Sequence, residues 1–444
     1  MNNVYSKESW GMTVAQVLAL ATAACGAFAC SSSSGGGDPG TSSRGTLLFK
    51  NISCVGDGPT CDIGVPYDKG LADYVRETNK SNGFGGYQVN LVSFNANYDH
   101  NAAQAQIESW RAASDYKDVL GMFVWGTPES NYYHQLAQKD EKVSISSSYA
   151  GQLATPIDAQ YTNSEGTKQS PGGAYSFFAG TDYSTTIRAA VQFMKDSGAK
   201  KVAFFYCEQT DFCYAPIPAG KDYAKDIGLT VGDDYRAHIA EFDAYTADLT
   251  TYFQKNPDID WAWCGNATTS CALLQKALVA AGANTKMVFN TYGFDEETAR
   301  ICGEACTSRK NTYGILPIAP FGDLTLPGME TVVTYHGAGR QADSDMMNLY
   351  TNVRYVQGHV SGLMIKLALD QLQTEGREPT GKGIKEKLES FRNQSTAELS
   401  EPLTFTATDH RPGSTARIYA VNSSGFLTFE KNVSLNLKPE WLGW

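Results

Sequence analysis

The sequence FFAGTDYSTTIRAAVQFMKDSGAKKVAFFY, residues 177–206, decides the fold because it separates two runs of one pattern. Before it and after it, apolar strand-like segments alternate with helical patterns, and short connections join them. This alternation is typical of parallel sheets that are covered by helices. The chain is therefore predicted to be an α/β protein with two doubly wound parallel-sheet lobes.

Eight strand-like segments carry this prediction. The four before the central stretch are GTLLFKNI (45–52), YQVNLVSF (87–94), VLGMFVWG (119–126) and KVSIS (142–146). The four that begin within or after it are KKVAFFY (200–206), LTVGDDYRAHI (229–239), WAWCG (261–265) and KMVFNTYG (286–293). The two runs share an architecture, but no short-period repeat relates them.

The cysteines fall into a pattern of close pairs. Ten are present, and the last eight pair as Cys54 with Cys61, Cys207 with Cys213, Cys264 with Cys271, and Cys302 with Cys306. Structural zinc usually needs two-residue spacings and a second ligand pair, and none of the six histidines stands beside a cysteine pair. Local disulfides are therefore predicted in preference to metal sites, and such small rings hold a loop rigid.

The N-terminus resembles a bacterial lipoprotein signal. The short apolar run TVAQVLALATAA ends in small residues, and CGAFAC and the tract SSSSGGGDPGTSS follow it. Residues 1–30 are predicted to be the signal region, and residues 31–44 a flexible Ser/Gly-rich tether. Lipidation of Cys30 leaves eight cysteines to pair, whereas lipidation of Cys25 would leave Cys30 unpaired, so Cys30 is favoured. An ordinary cleaved secretory signal is the alternative.

The composition excludes several classes of function. The chain is 42% apolar and 19% charged, with a net charge of −11 and no basic cluster, so nucleic acid is not an expected partner. No later run approaches the roughly 18 consecutive apolar residues of a membrane span. The sequence lacks G-x-S-x-G, H-E-x-x-H and Walker motifs, and no G-x-G-x-x-G fingerprint follows a predicted strand. An enzyme is therefore disfavoured, and no cofactor is expected.

The segments that follow the predicted strands are rich in binding side chains. They are FNANYDH (94–100), VWGTPESN (124–131), SSSYAG (146–151), YCEQTDFCY (206–214), CGNATTSC (264–271) and FNTYGFDEE (289–297). Ligands of open α/β sheets lie beyond the carboxyl ends of the strands, and this mixture is typical of a pocket with apolar walls and a few polar anchors. Three of the cysteine pairs lie in or near such segments, so the predicted disulfides brace loops that face a common crevice.

Several segments resemble the branched-chain amino-acid type of bacterial solute-binding protein. In NKSNGFGGYQVNLVSFNANYDHNAAQAQ (79–106), Gly85 and Gly86 allow a tight turn before a strand, and Asp99 or Asn101 caps the next helix. Four other segments match. Residues 177–206 resemble the crossover into a second lobe, and GILPIAPFG (314–322) resembles the return to the first. GHVSGLMIKLALDQL (358–372) resembles the long helix after that return, and residues 401–429 resemble a third crossover with its closing strands. The resemblance covers about residues 45–432.

The resemblance implies a clamp of two lobes joined by three hinge crossovers. Lobe 1 would hold residues 45–176 and 318–403, and lobe 2 residues 177–317 and 404–444. Such a protein closes on a small solute and delivers it to an ABC permease, here as a monomer in the periplasm or at the cell surface with a lipid anchor in the membrane. A ligand-sensing receptor of the same fold is the alternative, and a hydrolase is less favoured.

The resemblance also implies ligand contacts at particular positions. In lobe 1 they are Tyr67, Thr127, Ser130 and Tyr149, with Trp125 beside them; in lobe 2 they are Phe212 or Tyr214, Asn266, and the segment TYGFDE around Tyr292. Amino-acid binders of this family place a carboxylate where Tyr292 stands, so Asp295 or Glu208 supplies the charge or the ligand is not an amino acid. The aromatic lining favours an amide, an aromatic acid or a hydrophobic amino acid over a sugar or an inorganic ion.

Overall fold

Two sheets organise the part of the chain that the structure describes. The structure is a computed structural model and describes residues 43–56, 61–164, 166–170, 172–237, 242–308, 310–342 and 351–443. The predicted signal region and Cys30 lie outside the described residues. None of the described helices is long and apolar enough to cross a membrane.

The first sheet contains five parallel strands. The strands of this half of the chain are β1 (Thr46–Ser53), β2 (Gln88–Asn95), β3 (Val119–Val124), β4 (Val143–Ser146), β5 (Ala159–Asn163), β6 (Gly166–Ser170) and β7 (Ser176–Phe177). Their order in the sheet is β2-β1-β3-β4-β7, while β5 and β6 form a separate antiparallel hairpin. The connecting helices are α1 (Cys61–Lys80), α2 (His100–Ala112) and α3 (Thr127–Asp140).

The second sheet is larger and mixed. Its strands are β8 (Lys201–Tyr206), β9 (Thr230–Val231), β10 (Tyr235–Arg236), β11 (Trp261–Gly265), β12 (Lys286–Phe289), β13 (Thr312–Leu316), β14 (Thr415–Val421) and β15 (Leu427–Ser434). Strands β8 to β13 are parallel, and β14 and β15 close the sheet in antiparallel pairing. Its helices are α4 (Tyr183–Asp196), α5 (Asp211–Tyr214), α6 (Ile217–Asp226), α7 (Phe242–Lys255), α8 (Thr268–Ala280), α9 (Thr298–Cys302) and α10 (Glu304–Thr307).

The chain passes three times between the two sheets. It leaves the first sheet after β7, returns after β13 to form α11 (Met329–Ala342), α12 (Val353–Thr374) and α13 (Gly381–Leu388), and leaves again before β14. The second and third passages pair with each other, since the Ala319 amide donates to the Leu399 carbonyl at 2.8 Å. The α/β prediction with parallel-sheet lobes is confirmed, and the exact lobe boundaries stay a prediction.

Glycines allow α1 and α12 to pack in unusually close contact. A Cβ at Gly70 would lie 2.0 Å from the Tyr355 carbonyl oxygen, and a Cβ at Gly358 would lie 2.0 Å from the Tyr67 carbonyl oxygen. Only glycine fits such an approach of two backbones. Helix α12 is thereby held against α1, the helix that follows β1.

Most predicted elements occur within a few residues of their predicted bounds. Asp99 caps α2, since its carboxylate accepts from the amides of Asn101 and Ala102, and Gly85 and Gly86 have φ values of 59° and 81°. Two predictions differ from the structure. The described part of the segment 229–239, residues 229–237, forms two short strands instead of one, and the hairpin of β5 and β6 was not predicted.

Candidate ligand-binding cleft

The carboxyl ends of strands from both sheets meet around one small cavity, called here the inner cleft. Its described lining consists of Ile63, Tyr98, Trp125, Gly126, Thr127, Ser147, Ser148, Tyr183, Phe212 and Tyr292. These residues follow β1, β2, β3 and β4 of the first sheet and β8 and β12 of the second, with Tyr183 at the first residue of α4. The free volume is about 20 Å³, which is room for about one water molecule.

Aromatic rings from both lobes form the walls of the inner cleft. The ring centroid of Tyr292 lies 6.0 Å from those of Trp125 and Phe212 and 6.1 Å from that of Tyr183. All three contacts are edge-to-face, a preferred arrangement of aromatic pairs. Rings held in this way form a rigid apolar wall that costs little side-chain entropy when a ligand binds.

Tyr292 is anchored in the opposite lobe through its hydroxyl. The hydroxyl donates to the Ser147 carbonyl and accepts a 2.7 Å hydrogen bond from Gln357 Nε2. The guanidinium of Arg354 lies 4.9 Å from the centre of the Tyr292 ring. Burial holds the pKa of Tyr292 well above its usual value, so the phenol stays a donor. The second sheet is therefore attached to the first across the floor of the cleft.

Two further polar contacts join the lobes over the cleft. The hydroxyl oxygens of Tyr98 and Thr210 are 3.1 Å apart, and Asn131 Nδ2 donates to Asp211 Oδ2 at 3.4 Å. Asn97 and Tyr98 have φ values of 54° and 58°, which are uncommon for residues other than glycine. Such strained backbone clusters at ligand clamps, and here it directs the loop after β2 toward the second lobe.

Four of the eleven predicted contact residues line the inner cleft: Trp125, Thr127, Phe212 and Tyr292. The other lobe 1 residues lie behind its described lining. Tyr67 is buried with its ring 5.4 Å from Trp125, and its hydroxyl donates to Ser361 at 3.1 Å. Tyr149 stacks on Phe178 at 5.5 Å. Ser130 is within 2.7 Å of the Ser146 hydroxyl. These residues support the wall of the cleft, and direct ligand contact by them stays a prediction.

The remaining lobe 2 residues take other positions. Tyr214 is partly exposed and donates to Asp211 Oδ1 at 2.5 Å. Asn266 donates to the Ala237 carbonyl at 3.1 Å and accepts from the Ala267 amide at the start of α8. The structure brings neither of them into the described lining of the inner cleft.

The two predicted charge partners are already engaged by other residues. Asp295 is buried, accepts from the Thr268 hydroxyl at 2.7 Å and lies 3.7 Å from Arg354 Nη2. Glu208 has a half-exposed side chain that pairs with Arg236 at 3.1 Å. Neither belongs to the described lining of the inner cleft. Their predicted pairing with a ligand ammonium is therefore untested by this geometry.

Sequence reasoning did not select Glu129, a buried carboxyl beside the inner cleft. Its side chain is 1% exposed, and its Oε2 atom has no hydrogen-bond partner among the described residues. A Cβ at Gly126, which lines the cleft, would lie 2.1 Å from that oxygen. Burial, and secondarily the nearby Asp99, raises the pKa of Glu129 to about 7. The signal available in the sequence was its position in GTPES, directly after a strand.

Sequence reasoning also missed uncharged residues that line or anchor the inner cleft, among them Tyr98, Ser148, Tyr183 and Gln357. Tyr98 and Ser148 lie within the segments predicted to follow strands, so their location was available although their orientation was not. Tyr183 begins α4, and Gln357 belongs to α12, which is distant in sequence from every strand end. Only the packing of the two lobes brings these two residues to the cleft.

All four predicted disulfides are present, with S–S distances of 1.96, 2.02, 2.08 and 2.11 Å. Phe212 lies within the Cys207–Cys213 ring, and Ile63 follows Cys61 by two residues. The four disulfides are confirmed, and two of them lie beside residues that line the inner cleft; that they brace the loops of the site stays a prediction.

The fold and the cleft define a class, the bilobal α/β proteins that bind a ligand between two sheets. The sequence profile of a family described as periplasmic binding protein matches residues 55–425. The chain belongs to this family. Its members are extracytoplasmic proteins that bind small molecules and work with ABC permeases, and they are substrate-binding proteins rather than enzymes.

Solved structures share the fold at low sequence identity. An ABC transporter substrate-binding protein from Aeropyrum pernix is 22% identical with a TM-score of 0.75, over 89% of this chain and 98% of that one. A branched-chain amino acid ABC transporter protein from Thermus thermophilus with bound valine is 17% identical, with a TM-score of 0.74 over 90% and 98%. A fatty acid ABC transporter substrate-binding protein from Thermomonospora curvata is 15% identical, with a TM-score of 0.70 over 90% and 95%. No curated protein matches the chain in sequence.

Proposed function

We propose that this protein is an extracytoplasmic solute-binding protein that closes on a small amino-acid-like, amide or aromatic solute and delivers it to an ABC permease. The observation that carries the proposal is the inner cleft, where Trp125 of one lobe faces Phe212 and Tyr292 of the other. A solute held by both walls stabilises the closed arrangement of the lobes, which is the state that a permease recognises.

The chemistry of the inner cleft supports the ligand class. Its described lining has six apolar or aromatic side chains, three of which are tyrosines, and three Ser or Thr side chains, and it has no Lys, Arg, His, Asp or Glu. An uncharged or apolar part of a solute fits such a surface, because a charged group there would lose its hydration without an ionic partner. The Trp125 Nε1 atom and the Tyr183 hydroxyl, which have no hydrogen-bond partner among the described residues, can orient an amide or a carboxyl group.

An ammonium group, where the solute has one, needs a carboxylate close to the cleft. Asp295 is committed to Thr268 and lies near Arg354, whereas Glu129 has one oxygen without a partner among the described residues. We therefore place Glu129 ahead of Asp295 and Glu208 as the partner of a cationic group. The structural neighbours described as having bound valine and as a fatty acid ABC transporter substrate-binding protein are consistent with a solute that has an apolar body.

The N-terminus supports attachment to a membrane. A lipid on Cys30 would anchor the mature protein, and residues 31–44 would let the lobes reach a permease. A monomer fits this arrangement, since one clamp delivers one solute. Transport and sensing share the same clamp, so they differ in the partner and not in the cleft.

Native mass spectrometry of freshly purified protein, followed by denaturing release of any bound solute, identifies the ligand. Uptake of that solute by cells with and without the protein then separates the two roles. Loss of uptake supports delivery to a permease, and unchanged uptake supports the sensing receptor. Chemical conversion of the bound solute by the purified protein would contradict both.

A further inference from the structure

We propose that the binding site continues from the inner cleft into a second, larger chamber, called here the outer chamber, which takes an uncharged extension of the solute with several hydroxyl or amide groups. The proposal rests on the proposed function, because it needs the head of the solute in the inner cleft. It assigns the solute a length that an amino acid alone does not have.

The outer chamber is the larger of the two spaces and adjoins the inner cleft at Tyr183, which lines both. Its volume is about 320 Å³, compared with about 20 Å³ for the inner cleft. Pockets for small organic ligands have volumes of about 300 to 1,000 Å³. The outer chamber is therefore large enough for a substantial part of a solute, whereas the inner cleft has room for about one water molecule and admits the head of a solute only when its two walls move apart.

The hairpin of β5 and β6 forms one wall of the outer chamber. It leaves the first lobe between β4 and β7, and Tyr161, Gln169 and Ser170 line the chamber. The Ser164 amide at its turn donates to Asp222 Oδ2 on α6 of the second lobe at 2.9 Å. The hairpin thus bridges the two lobes beside the cleft, which gives this insertion a role that the two sheets do not require.

The side chains of the outer chamber are mostly neutral hydrogen-bonding groups. Four carboxamides line it: Asn131, Gln135, Gln152 and Gln169. Each carboxamide offers both a donor and an acceptor. The described lining includes no Lys or Arg, and its one carboxylate is Asp211. An anionic extension would meet no cation there, whereas a neutral chain of alternating donors and acceptors would find partners.

A buried histidine provides a second, independent indication of a ligand. His134 lines the outer chamber and is 5% exposed. Its Nδ1 atom is 2.8 Å from the Ser176 hydroxyl, and its Nε2 atom has no partner among the described residues. Burial lowers the pKa of His134 to about 4, so the imidazole is neutral near pH 7. A neutral ring nitrogen of this kind can bond a hydroxyl or an amide.

Two matched series of probes test the proposal on the intact protein and separate the two sources of this chemistry. The peptide series compares phenylalaninamide with phenylalanyl-glycyl-glycinamide, whose extension is uncharged, and the sugar series compares phenol with phenyl β-glucoside and phenyl maltoside. Affinities come from calorimetry with wild type, Ala215→Trp, which fills the outer chamber, and Ala215→Ser as its matched control. Gln135→Leu removes one carboxamide without adding bulk, and Phe212→Ala alters only the inner cleft.

We expect one series to gain about tenfold or more in affinity on extension, as two or three new hydrogen bonds would give. That gain should vanish in Ala215→Trp, fall in Gln135→Leu and persist in Ala215→Ser. No gain in wild type for either series, or a gain that survives Ala215→Trp and Gln135→Leu, overturns the outer chamber. A third outcome separates the two proposals. If the short probe of a series binds and Phe212→Ala weakens its binding, but the extended probe binds no more tightly, the outer chamber is overturned and the proposed function stands.

Discussion

The hydroxyl groups of Tyr98 and Thr210 lie 3.1 Å apart and join the two lobes above the inner cleft. Tyr98 follows β2 of the first sheet, and Thr210 follows β8 of the second. Both side chains would separate if the lobes moved apart, so this contact exists only in the closed arrangement. Closure of the clamp is thus supported by direct contacts as well as by any bound solute.

Removing that contact should weaken solute binding modestly. Tyr98→Phe keeps the ring and deletes one neutral hydrogen bond, which is worth about 1 kcal/mol, or roughly fivefold in affinity. Calorimetry with the solute identified by native mass spectrometry measures the change. Tyr132→Phe, which removes a 2.7 Å hydrogen bond to Glu108 away from the inner cleft, is the control and should leave affinity unchanged. Equal losses in the two variants would argue against a role for the contact in closure.

The Tyr292 hydroxyl should matter more than that of Tyr98, because it is buried. In Tyr292→Phe, the Ser147 carbonyl and Gln357 Nε2 each lose a partner, although they remain 3.3 Å from each other. We expect the free energy of unfolding to fall by about 1 to 2 kcal/mol and the affinity for solute to fall with it. Denaturant unfolding and calorimetry provide both values. Unchanged affinity together with lower stability would restrict Tyr292 to a structural role.

The Glu129 carboxyl should make the protein less stable as the pH rises from about 5 to 8. Burial raises the pKa of Glu129 from 4.5 to about 7, so the folded state holds the Glu129 proton more tightly than the unfolded state does. Its contribution to the free energy of unfolding therefore falls by up to about 3 kcal/mol across this range. His134 and His359 act in the opposite direction, because burial lowers their pKa values to about 4 and about 3, so the Glu129 contribution is measured as the difference between wild type and a variant. Glu129→Gln, which mimics the protonated acid, should match wild type near pH 5 and exceed it at pH 8.

Two comparisons control this pH experiment. Glu440→Gln changes an exposed carboxylate and should alter the curve little. Glu296, whose pKa burial and Asp295 raise to about 7, contributes with the same sign, so Glu129→Gln should keep part of the pH dependence. If the Glu129→Gln protein kept the full wild-type pH dependence of stability, the prediction would be wrong, because ionisation of Glu129 in the folded state would then cost little free energy.

The disulfide at 207 and 213 should support binding as well as stability. Its removal in Cys207→Ser/Cys213→Ser frees the loop that holds Phe212, and the loop-closure estimate for so short a ring is about 2 kcal/mol. The matched control is Cys302→Ser/Cys306→Ser, which opens a ring of similar size outside the described lining of the inner cleft. Both variants should lose stability in thermal unfolding, and only the first should lose affinity. Equal affinity in the two would contradict a role for the ring in the site.

The proposed lipid anchor gives a prediction about location. Wild-type protein expressed in a bacterial host should fractionate with membranes, and mass spectrometry should find a lipidated N-terminal Cys30. Cys30→Ser should move the protein to the soluble extracytoplasmic fraction, and Cys25→Ser should not. An unmodified N-terminus downstream of residue 30 would favour an ordinary secretory signal.

The sequence was sufficient for the fold because its information is local. Periodicity and turns predicted the strands and helices, and the spacing of the cysteines predicted all four disulfides, since each ring closes within one loop. Strand ends also predicted the region of the cleft, including Trp125, Thr127, Phe212 and Tyr292.

Orientation within the cleft was not available from the sequence. Tyr149 and Thr127 both follow strands, yet Tyr149 stacks behind the wall on Phe178 while Thr127 lines the cavity. Asp295 was expected near the ligand, but it is engaged by Thr268 of the second lobe and by Arg354, which α12 carries from the first lobe. Gln357 reaches Tyr292 only because α12 packs on α1. Such contacts depend on the relative placement of distant segments.

The most direct test of the central claim is calorimetry of the co-purified solute against one variant from each wall of the inner cleft. Trp125→Ala alters the first lobe, Phe212→Ala alters the second, and Phe426→Ala, whose ring is 70% exposed at the surface, is the control. The proposed clamp predicts that both cleft variants remain folded and weaken the same solute at least about tenfold, as loss of an aromatic contact implies, while the control binds normally. Binding that depends on only one of the two walls, or on neither, would contradict it.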